Sequence, residues 1–180
     1  MIANYNECVE KLGSKYKLRK MIAEEKLFKL EKGIYSDEKY VPEYRIISYK
    51  YPKAIFTMDS AFYYHGLTDV IPDKYHLMTA RGASRISDER VVQMFENSDA
   101  LELGAEYIEY NGYTILMYNK ERMLLELIRN KSRLPFDYYK EILNNYREII
   151  HELDIPAMQD MLEKLPKSRM INRVLELEVF

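Results

Sequence analysis

The sequence has no tryptophan and a single cysteine, Cys8. One thiol cannot close an internal disulfide, and it excludes metal sites built on several thiolates. A reducing compartment suits such a composition, so a cytoplasmic location is expected. No apolar run approaches the ~20 residues needed to span a bilayer, and the first residues lack a signal-peptide core. A membrane partner is therefore not expected. The three histidines, His65, His76 and His151, never fall at the short spacing of a zinc motif. Glycine is also sparse. Arg81-Gly82-Ala83-Ser84 lacks the second glycine and the lysine of a phosphate-cradling loop.

Catalytic patterns are missing too. Ser60 and His65 lie five residues apart on one predicted helix, which does not hold a nucleophile against an oriented base. Met58-Asp59-Ser60 does not supply the Gly-Ser pair and spaced aspartates of a nucleotidyltransferase. Glu121 sits in a first helical turn, where a negative charge is favourable for structural reasons. With Arg122 it is a candidate for a buried polar pair with the sheet. Cys8 reads as a small buried side chain of the first helix. No catalytic residue, metal or cofactor is assigned.

Neither sign of charge dominates, with 27 Lys and Arg against 29 Asp and Glu. Bulk charge therefore does not advertise a nucleic-acid partner, but its distribution does. Between Lys11 and Lys32 eight basic residues face only Glu24, Glu25 and Glu31, a local net of +5. Between Ser98 and Glu109 the acids Asp99, Glu102, Glu106 and Glu109 meet no base. A polyanion approaches the first stretch and avoids the second.

The elements can be read in order. Tyr5 to Leu12 forms a helix between Asn4, a cap residue, and Gly13, a stop. A second helix, Lys15 to Glu25, buries Leu18, Met21 and Ile22 at spacings of three and four. Phe28 to Glu31 alternates as a strand, Gly33 permits a tight turn, and Ile34 and Tyr35 return. Helices are expected from Pro42 to Tyr51 and over SAFYYHGL, capped by Asp59. Tyr75 to Thr79 reads as a strand. Val91 to Phe95 fits a strand better than a helix capped by Ser87. Asn111-Gly112 between YIEY and YTILMY signals a two-residue hairpin. Asn119 caps a helix with an apolar stripe of Met123, Leu124, Leu127 and Ile128. The rest is helical: from Pro135 to about Leu153, with Phe136, Tyr139, Ile142, Leu143, Tyr146, Ile149 and Ile150 inward, then from Asp154 to Leu165, then from Lys167 to Phe180.

This order gives an α+β protein. A small winged-helix-like unit over residues 1–37 precedes a mixed α/β domain over 38–180 with an all-helical end. A basic helix followed by a basic hairpin is how a winged helix meets DNA. The candidate contacts are Lys15, Tyr16, Lys17, Arg19 and Lys20 on the helix, with Lys29 and Lys32 on the wing. Tyr16 and Lys17 are the candidates for base edges, and the other cations for phosphates. The bland alternative is an amphipathic helix with a solvated lysine face, common on protein surfaces. A full winged helix-turn-helix has three helices before its wing, and only some 26 residues precede this one.

Four segments in order carry a resemblance: LFKLEKGIYS at Leu27, YPKAIFTMDSAFYYHGLTD at Tyr51, YHLMT at Tyr75 and YNKERMLLELIR at Tyr118. Over Leu27 to Arg129 the chain resembles the AbiEi family, antitoxins of bacterial abortive-infection type IV toxin–antitoxin systems. The resemblance implies an N-terminal DNA-binding winged helix and an α/β antitoxin domain. It implies repression of the protein's own operon through inverted repeats in double-stranded promoter DNA, where two copies could pair. It implies opposition to a nucleotidyltransferase toxin without a stable complex. By position, Lys15 to Lys20 map to the recognition helix and Lys29 to Lys32 to the wing. The alternative is an interaction module that binds a protein through its C-terminal domain.

Overall fold

The computed structural model describes residues 1–180. The fold is α+β and divides into two compact units, Met1–Pro52 and Lys53–Phe180.

The first unit opens with strand β1 (Ile2–Asn4), followed by helices α1 (Tyr5–Leu12) and α2 (Lys15–Ala23). Strands β2 (Phe28–Glu31) and β3 (Ile34–Ser36) form the hairpin, and α3 (Glu43–Lys50) closes the unit. Asn4 starts α1 through a reciprocal capping box. Its side chain accepts from the Glu7 amide at 3.0 Å, and Glu7 accepts from the Asn4 amide at 2.8 Å. Gly13 ends α1 by donating its amide to the Val9 carbonyl at 2.8 Å. The sheet is antiparallel with order β1-β3-β2. The sequence does not announce β1: three residues are too few to alternate, and pairing with β3 creates the strand. Gly33 takes φ +79° at the hairpin turn, a left-handed value that suits glycine.

Ala3, Cys8, Leu18, Leu27 and Tyr35 form the core of this unit, with Val9, Leu12, Met21 and Ile22 packed around them. The boundary lies at Pro52 rather than at residue 37. The cause is α3, which is tied back by three polar contacts. The Tyr49 hydroxyl donates to Glu7, Lys50 reaches Glu31 at 3.3 Å, and Arg45 reaches Glu38 at 2.9 Å. The helix expected from Pro42 to Tyr51 thus belongs to the first unit.

The second unit is built on five strands. β4 (Ile55–Phe56), helix α4 (Met58–Tyr64), β5 (Tyr75–Ala80) and β6 (Val91–Glu96) come first. Short helix α5 (Ser98–Leu101) leads to β7 (Ala105–Tyr110) and β8 (Tyr113–Tyr118). The helical end comprises α6 (Lys120–Arg129), α7 (Phe136–Ile149), α8 (Ile155–Lys164) and α9 (Ser168–Val174), which runs into a π-turn over Leu175–Val179. The sheet order is β6-β5-β4-β8-β7. β5–β6 and β4–β8 are parallel; β4–β5 and β7–β8 are antiparallel. Asn111 and Gly112 make the β7–β8 turn with φ +47° and +79°, both in the left-handed region as a primed hairpin turn requires. Asp59 does not cap α4, which starts one residue earlier; it lies 3.7 Å from His76 instead.

Asn119 caps α6 by accepting from the Arg122 amide at 2.9 Å. The helix is buried almost all round, beyond its predicted stripe, and takes charged side chains inside with it. Arg122 is fully buried. It donates to Glu126 from Nε at 3.1 Å, to Glu96 on β6 at 3.3 Å, and to the carbonyls of Ala100 and Leu103 at 3.0 and 3.3 Å. Arg129 completes the cluster at 2.5 Å from Glu96 and 3.2 Å from Glu126. Two cations and two anions leave no net buried charge, and every guanidinium direction is used. Arg122 thus forms a buried pair with the sheet. Glu121 instead accepts the Asp154 amide at 2.9 Å. Gly104 is held against this cluster at φ +73°, where an added Cβ would meet Arg122 Cβ at 2.5 Å. Phe136, expected inward, is 68% exposed, because α7 starts there and its buried face begins at Tyr139. No helix is long and apolar enough to cross a membrane.

Candidate nucleic-acid interface

Ser14 sets the phase of α2. Its hydroxyl accepts from the Lys17 amide at 3.2 Å, which fixes the first turn. Leu18 is then buried, and Met21 and Ile22 are half-buried on the same side. With about 100° per residue, the opposite side is centred on Tyr16 and Lys20. Lys15 and Arg19 flank it on one edge and Lys17 on the other. All five are exposed. Tyr16 is 75% exposed, a large aromatic ring in water at the middle of a cationic face.

The hairpin adds two more cations. β2 alternates, so Phe28 and Leu30 are partly covered while Lys29, paired in register with Tyr35, is exposed. Lys32 stands exposed beside Gly33 in the turn. The expected residues thus fall into two groups, one along a single helical face and one on the hairpin.

Most acids of this unit are engaged with its other groups, while Glu10 and Glu25 stand exposed without an ion pair. Glu7 caps α1, Glu31 holds Lys50, Glu38 holds Arg45, and Asp37 binds the N-terminal ammonium. Glu24 takes Lys26 at 2.8 Å and lies 3.7 Å from Lys20. Lys15, Lys17, Arg19, Lys29 and Lys32 have no ion-pair partner. A near-neutral composition therefore leaves five uncompensated positive charges on one helix and one hairpin. Such groups bind phosphate oxygens at little desolvation cost, since they are already in water. The part of α3 in bracing the hairpin rests on Lys50 meeting Glu31, 19 residues earlier, which local spacing does not show. The helix's own signal was a proline at residue 42 followed by Tyr44, Ile46 and Ile47, all buried.

The polar groups of the second unit serve its own packing. His65 is largely buried; its Nε2–H donates to the Tyr118 carbonyl at 2.7 Å, and burial pushes its pKa down. The Ser60 hydroxyl is buried and accepts the His76 amide at 2.9 Å, so it is not directed at an imidazole. Burial likewise lowers the pKa of His76, against the opposing pull of Asp59. No group of three or more His, Cys, Asp or Glu converges on one point. No family model matches this chain, and no curated protein sequence matches it.

Proposed function

We propose that the chain is a cytoplasmic DNA-binding regulator of the AbiEi antitoxin type, repressing its own operon. The observation that carries this reading is the set of five unpaired, exposed cations, Lys15, Lys17 and Arg19 on the helix that exposes Tyr16, and Lys29 and Lys32 on the hairpin. In this mechanism α2 enters a groove of promoter DNA, and Tyr16 and Lys17 reach base edges. Lys15, Arg19 and Lys20 with the hairpin lysines Lys29 and Lys32 hold the phosphates. The family resemblance supports inverted repeats as the operator and a nucleotidyltransferase toxin as the protein opposed.

The test is a fluorescence-anisotropy titration on the intergenic DNA upstream of the gene, beside a scrambled duplex of equal length. The expected result is tighter binding to the native sequence, with affinity falling steeply as salt rises. Equal affinity for both duplexes, or no salt dependence, rejects the reading.

A second reading, a protein-binding module, draws on the second unit. A cleft of about 430 Å³ there is lined by Ile128, Leu134, Phe136, Tyr139 and Met170 together with Arg129, Lys131 and Lys167. A pull-down that retains a protein through this cleft while promoter DNA is ignored would favour it.

A further inference from the structure

The two edges of the five-stranded sheet differ in chemistry. β7 carries Glu106 and Glu109 on its exposed positions, with Glu102 just before it. Pairing β7 with another β7 would gather acids, and such charges guard a sheet edge. β6 has no such guard. Val91-Val92-Gln93-Met94-Phe95 contains no charge, no proline and no glycine. It is six residues long with Glu96, and it pairs only with β5.

The hydrogen-bond phase of β6 is set by its parallel partner. Tyr75 donates its amide to the Arg90 carbonyl and Arg81 to the Glu96 carbonyl, each at 2.8 Å. In a parallel ladder alternate residues face the partner, so Arg90, Val92, Met94 and Glu96 bond to β5. Val91, Gln93 and Phe95 turn their backbone groups away. The Val91 amide is taken by the Asp88 carbonyl at 3.0 Å. The Val91 carbonyl and both backbone groups of Gln93 and Phe95 remain directed outward. The strand is also held in place: the Gln93 side chain donates to Thr79 Oγ1 at 2.9 Å and to the Ser84 carbonyl at 3.0 Å, and accepts from the Ile86 amide at 2.8 Å.

We propose that β6 is a homodimer edge, pairing antiparallel with β6 of a second copy about a two-fold axis at Gln93. This register is self-complementary. Gln93 meets Gln93 and exchanges two hydrogen bonds, and each Phe95 amide donates to the opposing Val91 carbonyl. Val91 then lies across from Phe95, and Val92 across from Met94, so apolar side chains meet on both faces. At each end Arg90 comes opposite Glu96, so no like charges face each other. The contact is isologous and closed, and does not propagate into a fibre. It makes one continuous ten-stranded sheet. Five residues per copy bury less than the ~1,200 Å² of a stable interface, so the dimer is weak, dissociating at roughly 10–100 µM. This inference does not depend on the DNA reading.

The test is sedimentation equilibrium of the full chain from about 1 to 500 µM, a range that brackets the expected dissociation constant. Two double variants separate pairing from folding. Val91→Lys with Phe95→Lys puts like charges opposite each other twice and weakens the dimer at least about tenfold. Val91→Lys with Phe95→Glu puts opposite charges there and restores association to within about threefold of the parent. Hydrogen exchange at the Gln93 and Phe95 amides supplies a readout on the unaltered chain, with protection rising with protein concentration. A chain that stays monomeric throughout overturns the proposal and leaves the edge to a strand from a different protein. Two double variants that associate equally, or edge amides whose exchange ignores concentration, overturn it as well.

Discussion

Lys17→Glu combined with Lys20→Glu tests the cationic face without threatening the fold. Lys17 is the third residue of α2, and its amide already bonds to Ser14. A glutamate there completes a capping box and favours the positive end of the helix, worth about 0.3–1 kcal/mol. Lys20→Glu removes a loose exposed pair with Glu24, 3.7 Å away, and sets two acids four apart. That costs about 0.2–0.5 kcal/mol. The two effects offset, so stability should stay within about 1 kcal/mol of the parent. Binding should not. The five cations assigned to phosphates, Lys15, Arg19, Lys20, Lys29 and Lys32, give a slope of log affinity on log salt near −4.5, or about a 500-fold loss from 50 to 200 mM. Two copies on an inverted repeat that neutralise about 6–8 phosphates lose about 10³- to 10⁴-fold over the same range. In the variant each lost contact flattens the slope by about one per copy, and promoter binding should disappear at the higher salt. Anisotropy titrations at four salt concentrations, beside urea denaturation of both proteins, make the measurement. An unchanged slope would refute the assignment of Lys20 to a phosphate. Loss of folding would refute the placement of this helical face in solvent.

Three other outcomes follow from the packing. Arg122→Ala leaves Glu96 and Glu126 buried with Arg129 alone and strips two carbonyls of a donor, so urea denaturation should register a loss of about 3–5 kcal/mol; a loss below 1 kcal/mol would contradict the burial of that cluster. The depressed pKa values of His65 and His76 mean that the unfolded chain takes up protons first. Their contribution is therefore complete above the unfolded value of about 6.5 and is lost as pH falls below it towards the folded values. The urea midpoint should drop between pH 7 and 5.5, before Glu7, Asp37 and Glu178, whose pKa values are lowered, begin to lose theirs below about pH 4.5. A flat midpoint across that interval would contradict it. Cys8 sits in the core of the first unit, and burial pushes its thiol pKa up. It should react with a thiol reagent at neutral pH only when the unit opens, so urea should accelerate labelling steeply; rapid labelling of the native chain would show an accessible thiol.

Local chemistry was legible in the chain itself. The caps at Asn4 and Asn119, the Asn111-Gly112 hairpin and the apolar stripe of α6 all depend on residues within a few positions of one another. The charge asymmetry near the amino end was equally plain, because it is a matter of counting. The α+β class followed from the order of those elements. Long-range pairing decided the rest. β1 exists because β3 lies beside it, and α3 joins the first unit because Tyr49 and Lys50 find acids 42 and 19 residues back in the chain. Helical periodicity could not foresee that Glu126 would be buried, since it joins a cluster whose other acid, Glu96, meets Arg122 from strand β6, 26 residues away in the chain. Residue type and local spacing are enough to show which residues carry charge and where helices and turns begin. Which acids neutralise which bases follows from long-range contacts, because partners must meet across the fold. It is this pairing that leaves Lys15, Lys17, Arg19, Lys29 and Lys32 without a counter-charge.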